Sequence, residues 1–222
     1  MELIIANCIQ LFIFLISLLV FAKKPVPLYL RLFPVYLFLL MLEDIIIDYT
    51  TSRGIHNNMI LNTCGIAEFS FYLFVIRSVI VNRNIKKQIF YTTIAYIIFA
   101  FINLFFIQKN DLFNPINFTI GTLITVICCI YYFFELFQKT ETQSLSRLTS
   151  FWIVSGILVN LVLTFPIFAL ISFMDSLSKA NRKTSSIIFD HIMAIFNIIS
   201  ILTYILYSIG FISRIRTGKS IS

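Results

Sequence analysis

The sequence predicts an all-α protein, a polytopic transmembrane bundle of seven helices in a single transmembrane domain over residues 1–222, N-terminus outside and C-terminus in the cytoplasm. Three observations predict it. The chain is 59% hydrophobic and only 12% charged, with 25 phenylalanines and a mean hydropathy of +0.94, more apolar surface than a water-soluble fold can hide. Apolar runs of about 20 residues recur along it, the length that spans a hydrocarbon core of about 30 Å as helix. The Lys and Arg residues are then shared unequally between the two sets of segments that alternate with those runs.

The runs place helices at about 3–22, 28–47, 60–81, 89–107, 118–137, 151–174 and 188–212. The first lacks a basic n-region, is too long for the apolar core of a secretion signal and ends in Lys23 and Lys24, so it reads as a retained helix. The second contains Pro34, which a membrane helix tolerates where neighbours satisfy the freed carbonyl, and a kink is expected there. The third and fourth are separated by the stretch Asn-Arg-Asn-Ile-Lys-Lys that starts at Asn82. The fifth follows the Asn114-Pro115 turn signal, and the sixth and seventh are bounded by polar segments too short to hold a soluble domain.

Orientation follows from the basic residues. Lys23, Lys24, Arg31, Arg77, Arg83, Lys86, Lys87, Lys139, Arg147, Arg214, Arg216 and Lys219 fall on one side, twelve in all, against Arg53, Lys109, Lys179, Arg182 and Lys183 on the other. Cytoplasmic segments retain Lys and Arg in excess, so twelve against five puts the N-terminus outside. Removing or adding one helix would scramble the alternation, which supports seven.

The net charge of +7 does not point to nucleic acid, because the bases flank apolar runs instead of forming a stripe or tail. The partner that it implies is the lipid bilayer. Cys8, Cys64, Cys128 and Cys129 lie in or beside apolar runs without Cys-x-x-Cys or metal-ligand spacing, so they read as apolar filler. Neither a metal nor a cofactor is expected.

Chemistry is sought where polar side chains enter a span, because an ionisable group at the bilayer centre costs about 2.5–3.5 kcal/mol or more. The third helix sets Gly65, Glu68 and Tyr72 on one stripe, with Glu68 about two turns from the outer end. Its carboxyl could take a cation, a proton or a ligand, or serve packing alone through hydrogen bonds. The fifth helix repeats the pattern with Gly121, Thr125, Cys128, Tyr132 and Glu135, the last close enough to the interface to be solvated or paired with Lys139. The sixth presents Trp152, Gly156, Asn160 and Thr164 at four-residue steps, and the seventh Asp190, Asn197 and Tyr204 at seven-residue steps, with Ser200 and Tyr207 nearby. The candidate ligand-binding or polar-core set is Glu68, Tyr72, Thr125, Tyr132, Asn160, Asn197 and Tyr204, with Glu68 and Asn160 expected on facing helices. Interhelical polar contacts that merely hold helices together would produce the same stripes. Glu43, Asp44 and Asp48, closing the second helix, and Asp190 beside His191, opening the seventh, form an outer acidic rim, which as a rule is simply solvated. Trp152 and several tyrosines near span ends read as an aromatic belt.

Absences narrow the field. Between Lys183 and Lys219 the seventh helix has no lysine, so a retinal Schiff base has no donor. His56 and His191, one in a loop and one at a helix end, are too few for a seven-helix zinc hydrolase and leave no histidine deep in a span for a serine–histidine dyad. Neither a Gly-x-Ser-x-Gly elbow nor a Gly-rich phosphate loop occurs. Asn117-Phe118-Thr119 matches a glycosylation sequon but abuts the membrane.

At Asn62 and Glu68, the Tyr-Tyr-Phe-Phe-Glu string from Tyr131, and Phe151-Trp152, the chain resembles a loose family of small bacterial seven-helix membrane proteins. The resemblance covers most of the chain and implies seven helices and a bacterial plasma membrane; it transfers no catalytic residue. The expected function is a receptor-like sensor or accessory signalling subunit that binds a small ligand or lipid within the bundle and acts on a cytoplasmic signalling partner. Alternatives are a small-solute or ion carrier or lipid-handling membrane enzyme, with Glu68 and Asp190 as relay or acid and base, and a structural subunit of a membrane complex.

Overall fold

A computed structural model describes residues 2–21, 26–55, 57–107, 114–138, 145–178 and 182–217. Lys23, Lys24, His56, Lys109, Lys139, Lys179 and Lys219 lie outside them, as does the side chain of Asp190. The described residues form seven α-helices and no strand: α1 (Glu2–Phe21), α2 (Leu28–Ser52), α3 (Asn58–Val79), α4 (Arg83–Ile102), α5 (Pro115–Gln138), α6 (Thr149–Ser178) and α7 (Arg182–Thr217). A π-helical turn, Asn103–Ile107, continues α4, and a short 3-10 turn, Leu145–Arg147, precedes α6.

Sequential helices pack side by side and α7 returns against α1, so the bundle closes on itself. The α6–α7 pair has the most extensive contact, and α3 is the most central helix, touching α2, α4, α5 and α6. Its buried face, Ile66, Phe69, Tyr72, Leu73 and Ile76, recurs at three- and four-residue steps, as an inward stripe must. Large apolar side chains such as Phe12, Leu39, Phe106, Ile127, Phe137 and Ile198 face outward instead, a surface suited to hydrocarbon and not to water. Among the described residues, five helical stretches are long and apolar enough to cross a membrane: 58–79, 83–107, 115–138, 149–168 and 194–216. The chain is a multi-pass membrane protein.

Helices α1 and α2 are not among those five. In α1 only the apolar stretch Cys8–Val20 carries described side chains. In α2, with Arg31 near one end and Glu43, Asp44 and Asp48 near the other, every 18-residue window carries three or more charges. That helix passes through the buried Pro34 and continues beyond its acids to Ser52, where it ends in a turn on Gly54 at φ +68°, the left-handed conformation glycine adopts without a Cβ penalty. Helices α4 and α7 likewise begin earlier than their apolar runs, at Arg83 and Arg182. Asn82 explains the first of these: its Oδ1 accepts the N–H groups of Asn84 and Ile85, which caps the helix ahead of the hydrophobic segment.

Candidate functional site

The centre of polar contact in the bundle is a carboxyl–phenol cluster joining α2, α3 and α6. One helical turn separates Glu68 from Tyr72, so both reach the same face of α3, and the Tyr72 hydroxyl donates to Glu68 Oε1. From α2 the Tyr36 hydroxyl lies 3.2 Å from the same oxygen and 2.9 Å from the Tyr72 hydroxyl. Because Tyr72 spends its proton on Glu68, the single proton of Tyr36 serves either the carboxyl or Tyr72, and the two arrangements are close in geometry. Asn160 of α6 completes the cluster, its Nδ2 donating to the Tyr72 hydroxyl over 3.3 Å. Glu68 Oε2 makes no hydrogen bond among the described residues.

Aromatic packing holds these groups in place. Tyr36 stacks on Phe71 with ring centroids 4.3 Å apart, and Phe33 meets Tyr36, Phe71, Tyr207 and Phe211 edge to face at 5.1–5.6 Å. Tyr207 lies on α7 beside the cluster, almost fully buried, its hydroxyl without a hydrogen-bond partner among the described residues. Two of the hydrogen bonds that can form at once cross between helices, and at about 0.6–1.7 kcal/mol each such bonds in membranes contribute about 1–3 kcal/mol together. This offsets much of the insertion cost of about 2.5–3.5 kcal/mol for a carboxyl, and the Tyr72 bond within α3 adds to it.

The sequence-derived candidates divide accordingly. Glu68, Tyr72 and Asn160 come together, the last two helices being linked through the Tyr72 hydroxyl. Tyr204 of α7 is half-buried within electrostatic range of Glu68, Glu43 and Asp44. Thr125 is buried but returns its hydroxyl to the Gly121 carbonyl of its own helix at 2.8 Å. Tyr132 donates instead to Ser150 at 2.9 Å, joining α5 to α6 at a different level. Asn197 is half-buried on α7, outside the cluster. Tyr36 was not among the candidates, since a tyrosine in an apolar run resembles a belt residue; its hydroxyl bonds alone reveal it.

The acidic rim is not uniform. Asp44 and Asp48 are exposed, whereas Glu43 is half-buried and within interaction range of the Cys64 thiol and Glu68, because α2 runs two turns beyond it. Among the described residues no group of three or more His, Cys, Asp or Glu side chains is placed to hold a metal ion. Asp190 is in α7.

Two side chains near helix ends have partners in other elements. Trp152 of α6 sets its Cβ against Gly210 of α7, where an added Cβ would stand 3.2 Å away, and its ring meets Phe151 edge to face at 5.3 Å. Glu135 is not simply solvated: its two oxygens accept the backbone N–H groups of Val81 and Asn82, each at 2.8 Å, while Lys139, the other expected partner, lies outside the described residues. The α3–α4 turn is thereby tied to α5. Glu135→Ala is expected to lower the stability of the detergent-solubilised protein by about 1–2 kcal/mol, the lower part of the range for charge-assisted bonds because this turn is exposed. A melting temperature unchanged in Glu135→Ala would show the two bonds to be worth nothing net.

A second polar cluster, of asparagines, occupies the other side of α3. Asn103 Nδ2 donates to Asn114 Oδ1 at 3.0 Å and to Asn117 Oδ1 at 2.9 Å, Asn62 Oδ1 accepts from the Asn114 backbone N–H at 2.9 Å, and Asn117 Nδ2 donates to the Ala100 carbonyl at 3.0 Å. The sequon asparagine, Asn117, is 4% exposed and so committed to the core. The comparisons add no relative to this geometry: no protein-family model matches the chain, and neither a curated protein nor a solved structure shows significant similarity to it.

Proposed function

We propose that this multi-pass membrane protein is a receptor-like sensor or accessory signalling subunit whose responsive element is the Glu68 cluster. One observation carries the reading: a single carboxyl oxygen, Glu68 Oε1, gathers hydroxyls from α2 and α3 and, through Tyr72, the amide of α6, while Oε2 has no hydrogen bond among the described residues. A proton, a cationic group or a lipid or ligand hydroxyl arriving at Oε2 changes what Oε1 can accept, and three helices feel the change together. Phe33 and Tyr207 pass it to α7 by direct ring contact. The proposed membrane is a bacterial plasma membrane, with all seven helices spanning.

The orientation proposed is N-out and C-in. The Glu135 bonds to the α3–α4 turn, the Tyr132–Ser150 bond and the Ser213 hydroxyl on the Arg147 carbonyl gather one end of the bundle. Arg77, Arg83, Lys86, Lys87, Arg147, Arg214 and Arg216 lie at that end, which is the excess expected of a cytoplasmic face. A reporter fused after Arg216 is expected to read cytoplasmic, and a periplasmic signal would overturn the orientation. Crosslinking in native membranes is expected to recover a signalling partner from the wild type in greater yield than from Glu68→Gln. Equal recovery from both, or none from either, would remove the sensor reading and favour a structural subunit.

A further inference from the structure

We infer that the asparagine cluster is completed by one bound water, held in a cavity between α3 and α5 independently of Glu68. The cavity measures about 20 Å³ and is lined by Asn62, Gly65 and Phe69 of α3, Tyr96 of α4, and Asn114 and Phe118 at the start of α5, among others. A space of about 10–15 Å³ by the same measure admits one water, so this one holds one and excludes larger ligands.

The chemistry of Asn114 defines what the cavity takes. Its Oδ1 accepts from Asn103 Nδ2 and, as the N-cap of α5, from the Asn117 backbone N–H at 3.1 Å. Reversing the amide would set Nδ2 against both donors, so its orientation is fixed by the fold. Nδ2 is then forced the other way. Asn114 is 2% exposed, and this nitrogen has no hydrogen-bond partner among the described residues. Asn114 lines a cavity of one-water size, and its buried N–H donor requires an acceptor of that size; water also donates onward, with Asn62, Asn117 and Tyr96 among the lining residues.

The water links three elements: the N-terminus of α5, α3 through its Gly65 face, and, through the Asn103 amide, the π-turn that ends α4. π-Turns inside helices tend to mark sites where a local distortion is put to use. Here the distortion belongs to the segment that presents Asn103 to Asn114 and Asn117. Gly65 leaves room for the water, since a Cβ placed there would meet nothing within 4 Å.

Two measurements on the full chain in lipid nanodiscs test this. A structure at a resolution that shows waters is expected to place density about 2.7–3.2 Å from Asn114 Nδ2. An empty cavity, or one filled by a protein side chain or an acyl chain, would overturn the inference. The second measurement compares Gly65→Ala with Gly65→Ser by thermal unfolding. A methyl group displaces the water and strands Nδ2, whereas a serine hydroxyl supplies an acceptor in its place, so Gly65→Ala is expected to melt about 2–4 °C below Gly65→Ser. Helix propensity alone predicts the reverse order, Ala above Ser. Finding Ala equal to or above Ser would therefore count against the water.

Discussion

Gly156→Leu is expected to prevent assembly of a stable bundle, and Gly156→Ala to weaken it measurably. A Cβ at Gly156 would stand 2.6 and 2.8 Å from two ring carbons of Tyr207 and 3.4 Å from the Leu206 Cβ, all on α7. The ring cannot swing aside, because Tyr207 is 1% exposed and pinned edge to face against Phe33. Alanine therefore forces α6 and α7 apart over the most extensive helix pair in the protein, at a cost of about 1–3 kcal/mol. This cost exceeds the gain in helix propensity of about 1 kcal/mol from replacing glycine. Leucine adds three more carbons to the same contact. Thermal unfolding in detergent checks both variants, and a compensating pair checks the cause: Tyr207→Ala in the Gly156→Ala background is expected to cost less than it does alone. Strict additivity of the two substitutions would mean that the ring and the glycine do not interact.

The part of this architecture legible in the sequence is the part that the bilayer dictates. An apolar run marks the position of each of the seven described helices, because a helix in hydrocarbon must be largely apolar over about 20 residues. What hydropathy does not register is helix that extends past the apolar region. The first turns of α4 and the C-terminal end of α2 are polar, yet their backbones remain hydrogen-bonded, with Asn82 capping one and Thr50 returning its hydroxyl to the Ile46 carbonyl in the other. The acids Glu43 and Asp44 consequently lie within a helix and not at its end, which is why Glu43 reaches toward Glu68.

The site was legible wherever its members share one helix. Glu68 and Tyr72 are four residues apart, as are Gly156, Asn160 and Thr164, and the four-residue step puts each set on one face before any tertiary structure is known. Contacts between helices leave no such trace. Tyr36 is separated from Glu68 by 32 residues and sits in an apolar run, and Asn103, Asn114 and Asn117 straddle a turn whose Asn-Pro signal draws attention to the backbone instead of the amides. Thr125 shows the opposite failure: its place on a polar stripe is real, but a threonine hydroxyl in a helix can be satisfied by the carbonyl four residues back and need offer nothing to a neighbour.

Glu68→Leu and Glu68→Gln separate a responsive carboxyl from a merely cohesive one. Leucine removes the acceptor of the Tyr72 proton, and Tyr36 cannot replace it fully, since the two hydroxyls 2.9 Å apart can share only one hydrogen bond. One buried donor is then stranded, at a cost of about 1–3 kcal/mol. At this chain length that corresponds to a fall in melting temperature of about 2–4 °C per kcal/mol. Glutamine retains a carbonyl oxygen at the same reach and is expected to melt close to the wild type. Tyr72→Phe added to Glu68→Leu removes the stranded hydroxyl along with its lost partner, so the double variant is expected to recover part of the stability that Glu68→Leu loses. If glutamine preserves the fold but abolishes recovery of the signalling partner, the charge or the proton of Glu68 is what the protein uses, because shape and hydrogen-bond acceptance are unchanged. If glutamine is silent in both measurements while leucine destabilises, the carboxyl serves cohesion alone. Leucine as stable as the wild type would mean that the bonds from Tyr36 and Tyr72 contribute nothing net, and the Glu68 cluster would lose its claim to be the centre of this bundle.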